Sequence, residues 1–173
     1  MHREVRKIGV LALQGAFQKH LDMLHTLNVE GVAIRSANQC AKVDGIIIPG
    51  GESTTISSML EGFCFDKPLF GTCAGLIIMQ KLGLIDISVQ RNGYGRQKDS
   101  FSTTINFLGK RSALFIRAPL VESVSSQVEV LARLEETPVL IRQKNRLACS
   151  FHPELTDDTT IHRYFLESCF ENS

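Results

Sequence analysis

The sequence predicts an α/β protein with a parallel β-sheet at its core and an antiparallel extension in its second half. In the first half, short apolar runs of strand length alternate with segments of helical period, the pattern of β-α-β units joined by right-handed crossovers. In the second half, five strand-like runs follow one another with short polar turns between them, which favours an antiparallel meander attached to the parallel core.

The predicted strands of the first half are 8–13, 32–35, 44–49 and 68–73. Three consecutive isoleucines at 46–48 are typical of a strand that is covered on both faces of its sheet. Helical periodicity places Phe17, Leu21, Leu24 and Leu27 on one face of a first helix and Ile56, Met59 and Leu60 on one face of a second. A third helix is predicted from Ala74 to about Leu82.

The predicted strands of the second half are 102–107, 114–117, 128–134, 139–142 and 147–151. A closing helix carries Ile161, Phe165 and Cys169 at intervals of four residues, so these side chains share one face. The chain shows no internal repeat or linker, and 173 residues suffice for one hydrophobic core but not for two. We therefore expect a single domain over residues 1–173.

Composition limits the possible partners and the compartment. The 19 Lys and Arg residues nearly balance the 18 Asp and Glu residues, so neither nucleic acid nor an anionic membrane is an expected partner. No window has the length of a membrane span, and the N-terminus lacks the apolar core of a signal peptide. The five cysteines are odd in number and scattered, which suits reduced thiols. We expect a cytoplasmic protein.

The segment FGTCAGL, residues 70–76, contains the first candidate for catalysis. Gly71 and Gly75 flank Cys73 where a predicted strand ends and a predicted helix begins, which is the arrangement of a nucleophile elbow. Backbone N–H groups at the start of the helix would stabilise a Cys73 thiolate and could hold an oxyanion. A buried, chemically inert cysteine is about equally compatible with the pentapeptide alone.

A general base is expected in the segment SFHPEL. If His152, Pro153 and Glu154 are extended, His152 and Glu154 point to the same side, and the carboxylate would orient the imidazole as in a Cys-His-Glu triad. A turn proline between polar residues is the alternative for this segment. The other four histidines (His2, His20, His25 and His162) are interpreted as solvated or edge residues.

The segment PGGESTT, residues 49–55, lies between a predicted strand and a predicted helix, where α/β proteins bind ligands. Its adjacent glycines free backbone N–H groups, so Gly51 and Ala74 are the candidates for an oxyanion hole. A phosphate loop is disfavoured because the Walker lysine is missing, and a plain turn with Ser53 as helix cap is the remaining alternative. Cys149 and His152 have the spacing of half a zinc site, but no second pair accompanies them.

The motifs occur together along the whole chain: GVLALQGAF, IIPGGESTT, FGTCAGL, QRNGYGRQ followed by DSF, FIRAP and CSFHPELTDD. With them the sequence resembles the class I glutamine amidotransferases, and within these the glutaminase subunits of pyridoxal 5'-phosphate synthase. The combination of GGEST, GTCAGL, RNGYGRQ and SFHPELT is characteristic of these subunits rather than of amidotransferases in general. The resemblance implies a flavodoxin-like mixed sheet flanked by helices.

The resemblance also implies a reaction, in which L-glutamine is hydrolysed to L-glutamate and ammonia through a thioester. It implies that Cys73 is the nucleophile, His152 the base and Glu154 the residue that orients the histidine. The implied glutamine contacts are Gly51, Glu52, Ser53, Arg91, Ile116 and Arg117. No cofactor and no metal ion are expected.

The implied partner is a (β/α)8-barrel synthase subunit in a hetero-oligomeric complex. An internal channel would carry the ammonia to this subunit, which condenses it with a pentose phosphate and a triose phosphate. Because partner binding completes the oxyanion hole in the family, we expect the isolated chain to be a poor glutaminase. Compared with the family, the segments after GGESTT and after GTCAGL are shorter, and Lys19 stands where an acidic residue is common.

Two other functional hypotheses stay open at this point. The first is a docking subunit of the same complex that is catalytically weak or silent. The second is a different cysteine enzyme, such as a chaperone or a peptidase, on a related sheet. Glutamine would protect the cysteine from alkylation in a glutaminase and would not do so in the second alternative.

Overall fold

The computed structural model describes residues 6–12, 17–50, 60–91, 93–94 and 100–171. In this part of the chain the strands are β1 (Lys7–Leu11), β2 (Glu30–Ile34), β3 (Gly45–Ile48), β4 (Leu69–Thr72), β5 (Ile87–Gln90), β6 (Ser100–Asn106), β7 (Lys110–Ile116), β8 (Leu120–Val124), β9 (Glu129–Leu134), β10 (Thr137–Gln143) and β11 (Arg146–Cys149). The helices are α1 (Phe17–Thr26), α2 (Ala37–Cys40), α3 (Ala74–Lys81) and α4 (Thr160–Ser168), and Pro153–Leu155 forms a single 3-10 turn.

Seven strands form the main sheet in the order β2-β1-β3-β4-β11-β10-β9. The first five strands of this order run parallel to one another, whereas β10 is antiparallel to both β11 and β9. The predicted parallel core with an antiparallel extension is therefore confirmed. The pairs β5-β8 and β6-β7 form two further two-stranded antiparallel sheets.

The isoleucine run in β3 packs on both faces of the sheet, as predicted. Ile47 belongs to one core cluster, together with Phe70 and Phe165, whereas Ile46 and Ile48 belong to the other. All three isoleucines are fully buried. Side chains alternate between the two faces along a strand, so helices must cover this sheet on both sides.

Helix α4 buries Ile161 and Phe165, and Cys169 just beyond its last residue is buried as well, as the interval of four residues predicted. Helix α1 is rotated from the predicted orientation. Its buried residues are His20, Met23 and Leu24, while Phe17, Leu21 and Leu27 are only partly buried against the core.

Four elements of the described residues were not predicted: the short helix α2, the strands β5 and β8, and the 3-10 turn Pro153–Leu155. The predicted helix with Ile56 and Met59 falls outside the described residues, and Leu60 at its end is buried. None of the helices in the described segments is long and apolar enough to cross a membrane.

Candidate active site

Cys73 lies between the end of β4 and the start of α3, as the sequence predicted. Its backbone has φ 54° and ψ −112°, in the left-handed half of conformational space that non-glycine residues rarely occupy. Strain of this kind persists only where the surroundings enforce it, and it is characteristic of functional sites. Its backbone N–H donates to the carbonyl oxygen of Cys149 at 2.9 Å, which fixes the turn to the neighbouring strand β11.

The two glycines that flank Cys73 are required by close packing. A Cβ atom on Gly75 would lie 2.0 Å from the carbonyl oxygen of Ile48, which no rearrangement of side chains could relieve. A Cβ atom on Gly71 would lie 2.6 Å from Sδ of Met79 and 2.9 Å from the backbone of Gly75. The absence of these side chains lets α3 approach β3 and β4 closely.

The register of the main sheet brings the second candidate residue to Cys73. Strands β4 and β11 are parallel neighbours, with Thr72 paired to Cys149, so the chain emerges beside Cys73 at the carboxyl end of β11. His152 follows three residues later, and its backbone N–H donates to the carbonyl oxygen of Leu114 in β7 at 2.8 Å. Two strands therefore hold the histidine in place.

Gly50 lies two residues beyond the end of β3, so the carboxyl ends of β3, β4 and β11 meet at this site. A Cβ atom at Gly50 would lie 2.9 Å from Cε1 of His152 and 3.2 Å from Cβ of Cys73. The glycine therefore leaves the space in which the imidazole ring and the cysteine meet. The predicted contacts Gly51, Glu52 and Ser53 immediately follow it but lie outside the described residues.

Glu154 contacts the imidazole of His152, as predicted, but the backbone between them is not extended. Pro153–Leu155 is a 3-10 turn, and this turn brings Oε1 of Glu154 to 2.5 Å from Nδ1 of His152. The side chain of Glu154 is 1% exposed and that of His152 is 11% exposed, so the pair is largely shielded from water. The sequence predicted the correct pair of residues but the wrong backbone geometry between them.

The electrostatic surroundings favour the protonated form of His152. Burial by itself would lower the pKa of this imidazole, but hydrogen bonds to Cys73 and Glu154 and the electrostatic interactions with both groups outweigh it and raise the pKa to about 10. An imidazolium therefore lies between the sulfur of Cys73 and the carboxylate of Glu154 near neutral pH. This group can donate a proton to a leaving group and can serve as a base after it has done so.

Strand β7 brings Ile116 and Arg117 to the same site. The Sγ atom of Cys73 lies 3.5 Å from the carbonyl oxygen of Ile116. Arg117 follows directly, is exposed and has φ 44°, so the chain turns sharply beside the cysteine. Arg91 is exposed at the end of β5. Ala74 is the first residue of α3, a position at which the backbone N–H has no acceptor within the helix.

Cys149 behaves as a buried thiol rather than as part of a metal site. It is fully buried, Sγ donates to the carbonyl oxygen of Phe151 at 3.3 Å, and burial raises the pKa of the thiol well above its ordinary value. Among the described residues, no group of three or more His, Cys, Asp or Glu side chains could hold a metal ion.

The interpretation of His20 and His162 as solvated or edge residues is wrong. Both side chains are completely buried, with Nδ1 of His20 2.9 Å from Nε2 of His162, and Nε2 of His20 lies 3.5 Å from Oε2 of Glu154. Helical spacing contained a signal for this burial, because His20 precedes Leu24 by four residues and His162 precedes Leu166 by four. His25 is exposed, as expected, and His2 lies outside the described residues.

Comparison with known proteins gives consistent results. Residues 10–171 match the model of the SNO glutamine amidotransferase family. The chain is 49% identical to the pyridoxal 5'-phosphate synthase subunit PdxT of Francisella philomiragia subsp. philomiragia, over 92% of this chain and 97% of that protein. It is also 49% identical to the protein of the same name from Francisella tularensis subsp. novicida, over 93% of this chain and 98% of the relative.

Solved structures share the fold. A crystal structure of a glutamine amidotransferase superposes with a TM-score of 0.89 at 41% identity, over 94% of this chain and 98% of that one. A chain in the structure of PurLQS from Thermotoga maritima superposes with a TM-score of 0.64 at 14% identity, over 94% and 98% of the two chains. At that identity the likeness is one of fold alone.

Proposed function

The chain belongs to the SNO glutamine amidotransferase family, and from this membership we propose that it is the glutaminase subunit of a pyridoxal 5'-phosphate synthase. It hydrolyses L-glutamine to L-glutamate and ammonia. One observation carries the assignment of residues: Cys73, with φ 54° at a strand-helix junction, shares a hydrogen bond with His152, whose other ring nitrogen lies 2.5 Å from Glu154. This is the arrangement of nucleophile, base and orienting carboxylate.

In the first half of the reaction, the Cys73 thiolate attacks the side-chain amide carbon of glutamine. The C=O π electrons move to the oxygen, and the resulting oxyanion is stabilised by the backbone N–H of Ala74 and by the glycine loop, where Gly51 is the proposed second donor. His152, held as an imidazolium, then protonates the amide nitrogen. The C–N bond breaks, ammonia leaves, and a Cys73 thioester remains.

In the second half, His152 is neutral and can act as a base. It takes a proton from water, the hydroxide attacks the thioester carbon, and the C–S bond breaks to give glutamate and the Cys73 thiolate. Glu154 remains a carboxylate throughout, because its role is to fix the imidazole tautomer and to stabilise the imidazolium charge. The cycle balances without any further reactant.

Substrate recognition is proposed for residues around the cysteine. Glutamine carries an α-carboxylate, and Arg91 and Arg117 are the exposed cations contributed by β5 and by the turn after β7. Ile116 brings its backbone to 3.5 Å from the cysteine sulfur and would border the bound side chain. Glu52 and Ser53 are the proposed partners of the substrate in the glycine loop.

The proposed partner is the barrel synthase subunit, which receives ammonia from this chain in a hetero-oligomeric complex. Ammonia is mostly protonated in neutral water and diffuses away from an open site, so direct transfer preserves the nucleophile. We place the complex in the cytoplasm: all five cysteines are free thiols, including the exposed Cys64, which suits a reducing compartment.

Alkylation of Cys73 separates this proposal from the two alternatives. The chain in complex with a synthase subunit is treated with iodoacetamide, and modification of each cysteine is followed by mass spectrometry with and without glutamine. We expect Cys73 to react faster than the buried Cys149 and to be protected by glutamine but not by asparagine. A rate no faster than that of Cys149 favours a silent docking subunit, and rapid alkylation without protection favours another cysteine enzyme.

A further inference from the structure

Two histidines that the reaction does not use lie directly behind the carboxylate of Glu154. His20 on α1 and His162 on α4 are fully buried and are joined by the 2.9 Å contact between Nδ1 of His20 and Nε2 of His162. The other nitrogen of His20 lies 3.5 Å from Oε2 of Glu154 and 3.3 Å from Oγ1 of Thr72. His20 therefore faces the oxygen of Glu154 that is not engaged by His152.

Both histidines are neutral, so each ring carries one N–H. Burial lowers the pKa of His162 to about 3, and burial together with the neighbouring His162 and His152 lowers the pKa of His20 well below its ordinary value. Phe70 makes T-shaped contacts with both rings, with ring centroids 6.5 Å from His20 and 5.2 Å from His162, and adds to their desolvation. A neutral imidazole has one donor and one acceptor nitrogen.

Which nitrogen of each ring carries the proton follows from the groups at the two ends of this chain of contacts, Glu154 at one end and Nδ1 of His162 at the other. If Nδ1 of His20 donated to His162, the lone pair of Nε2 of His20 would face the Glu154 carboxylate, which is unfavourable for two acceptors. The proton of His162 would then lie on Nδ1, which is buried without a partner among the described residues. With the opposite direction, His162 donates to His20, and the Nε2–H of His20 points to Glu154 and Thr72.

The free oxygen of Glu154 requires such a donor. Oε2 is buried and accepts no regular hydrogen bond from the described part of the chain, and an unpaired buried carboxylate oxygen is costly. The Nε2 atom of His20 at 3.5 Å is long for a hydrogen bond, and catalytic hydrogen bonds are often long in a free enzyme and shorten in its complexes. A shift of the carboxylate by a few tenths of an ångström makes the bond regular.

From this geometry we infer that His20 and His162 are positioning residues, which extend the proposed triad to a relay of Cys73, His152, Glu154, His20 and His162. His20 donates to Oε2 and holds the carboxylate plane, so that Oε1 stays aligned with the Nδ1–H of His152. His162 fixes the tautomer of His20. The inference rests on the proposed function, and it assigns to two buried histidines a role in ammonia release.

Substitution of His20 tests the relay in the complex with a synthase subunit. His20→Leu removes the donor, whereas His20→Gln keeps an N–H near the position of Nε2, and His25→Gln is the matched control on the exposed face of α1. The kcat is expressed per Cys73 that iodoacetamide can alkylate. We expect His20→Leu to lower this kcat about tenfold to a hundredfold, the range for one hydrogen bond to a charged group. The KM for glutamine should stay unchanged, because His20 does not touch the substrate.

The conservative variant separates positioning from simple packing. His20→Gln should retain kcat within about threefold of the wild type, and His25→Gln should be indistinguishable from it. A kcat for His20→Leu within threefold of the wild type, or an equal loss in both His20 variants, would overturn the inference. A wild-type complex without Cys73-dependent glutamate release would instead contradict the proposed function.

A measurement on the wild-type chain tests the two tautomers directly, and variants serve only to assign the signals. Long-range 1H–15N NMR of the histidine-labelled protein reports which ring nitrogen carries the proton, and the signals lost in His162→Gln and in His20→Gln assign the two rings. We expect both buried rings to be neutral with the proton on Nε2. An Nδ1–H tautomer or an imidazolium in either ring would overturn the relay, whatever the kinetics of the variants.

Discussion

The Nδ1 atom of His152 lies 2.5 Å from Oε1 of Glu154, across the 3-10 turn that joins the two residues. The contact shares in raising the pKa of His152 to about 10, since the carboxylate stabilises the imidazolium. Glu154→Gln removes this negative charge, so we expect the pKa of His152 to fall and kcat to drop about a hundredfold or more.

An NMR titration of His152 measures this pKa in the wild type, in Glu154→Gln and in the exposed control Glu122→Gln. The wild type and the control should keep the imidazolium up to about pH 9. An unchanged titration in Glu154→Gln would show that Glu154 does not stabilise the charge of His152.

Gly50 and Gly75 provide a second prediction, because a methyl group has a different effect at each position. At Gly75 it meets the backbone oxygen of Ile48 at 2.0 Å, so Gly75→Ala should lower the free energy of unfolding by about 3 kcal/mol or more. At Gly50 it meets the ring of His152 at 2.9 Å. Gly50→Ala should therefore lower kcat strongly, while it should lower the free energy of unfolding less than Gly75→Ala does. Gly83, which has open space around it, is the control for both.

Urea unfolding and glutamate release are measured on the same three variants. Gly83→Ala should cost about 1–2 kcal/mol, since its φ is 69° and only the left-handed backbone is penalised. Equal stability of Gly75→Ala and Gly83→Ala would contradict the close approach of α3 to β3.

The buried histidines give a third prediction, which concerns acid stability. In the unfolded chain His20 and His162 take up protons near pH 6.5, whereas in the folded chain both stay neutral, His162 down to about pH 3. Unfolding therefore binds protons, and stability is lost as the pH falls below 6.5. The expected loss at pH 5 is about 2 kcal/mol for His162, and His20 adds a loss in the same direction.

The free energy of unfolding at pH 7.5 and pH 5 measures this loss. His162→Gln should lose less stability between the two pH values than the wild type does, whereas the exposed His25→Gln should lose as much as the wild type. The same pH dependence in all three proteins would mean that His162 is protonated in the folded state.

A fourth prediction concerns the recognition of glutamine by Arg91. Replacement by methionine keeps an unbranched apolar stem and removes the cation, so Arg91→Met should raise the KM for glutamine about tenfold or more and change kcat little. Arg133, exposed on β9, is the control for the loss of one surface charge. A KM for Arg91→Met equal to that of Arg133→Met would remove Arg91 from the substrate site.

The sequence was informative where one short segment determines the structure. The pattern Gly71-Thr72-Cys73-Ala74-Gly75 predicted the strand-helix junction with Cys73 at its turn, and the structure shows that only glycine fits so close to the neighbouring backbone at Gly75. The pairing of His152 with Glu154 was predicted, but an extended segment was assumed. Proline is also compatible with the start of a 3-10 turn, and tertiary contacts decide between the two.

Features that depend on distant contacts were not predicted. Strands β5 and β8 are four and five residues long and partly exposed, and within the described residues they pair only with each other; neither has the apolar run of a core strand. His20 and His162 are 142 residues apart in sequence, and their contact depends on how α1 and α4 pack around Phe70. Polarity suggested exposure for both, and helical spacing suggested burial.

The most direct test of the account measures glutamate release from glutamine by the purified chain, alone and with a pyridoxal 5'-phosphate synthase subunit, beside Cys73→Ala. We predict slow hydrolysis by the chain alone, strong stimulation by the synthase subunit, and a loss of at least about a thousandfold in Cys73→Ala. Absence of glutamate release under both conditions, or release that persists in Cys73→Ala, would contradict the assignment of this site as a glutaminase.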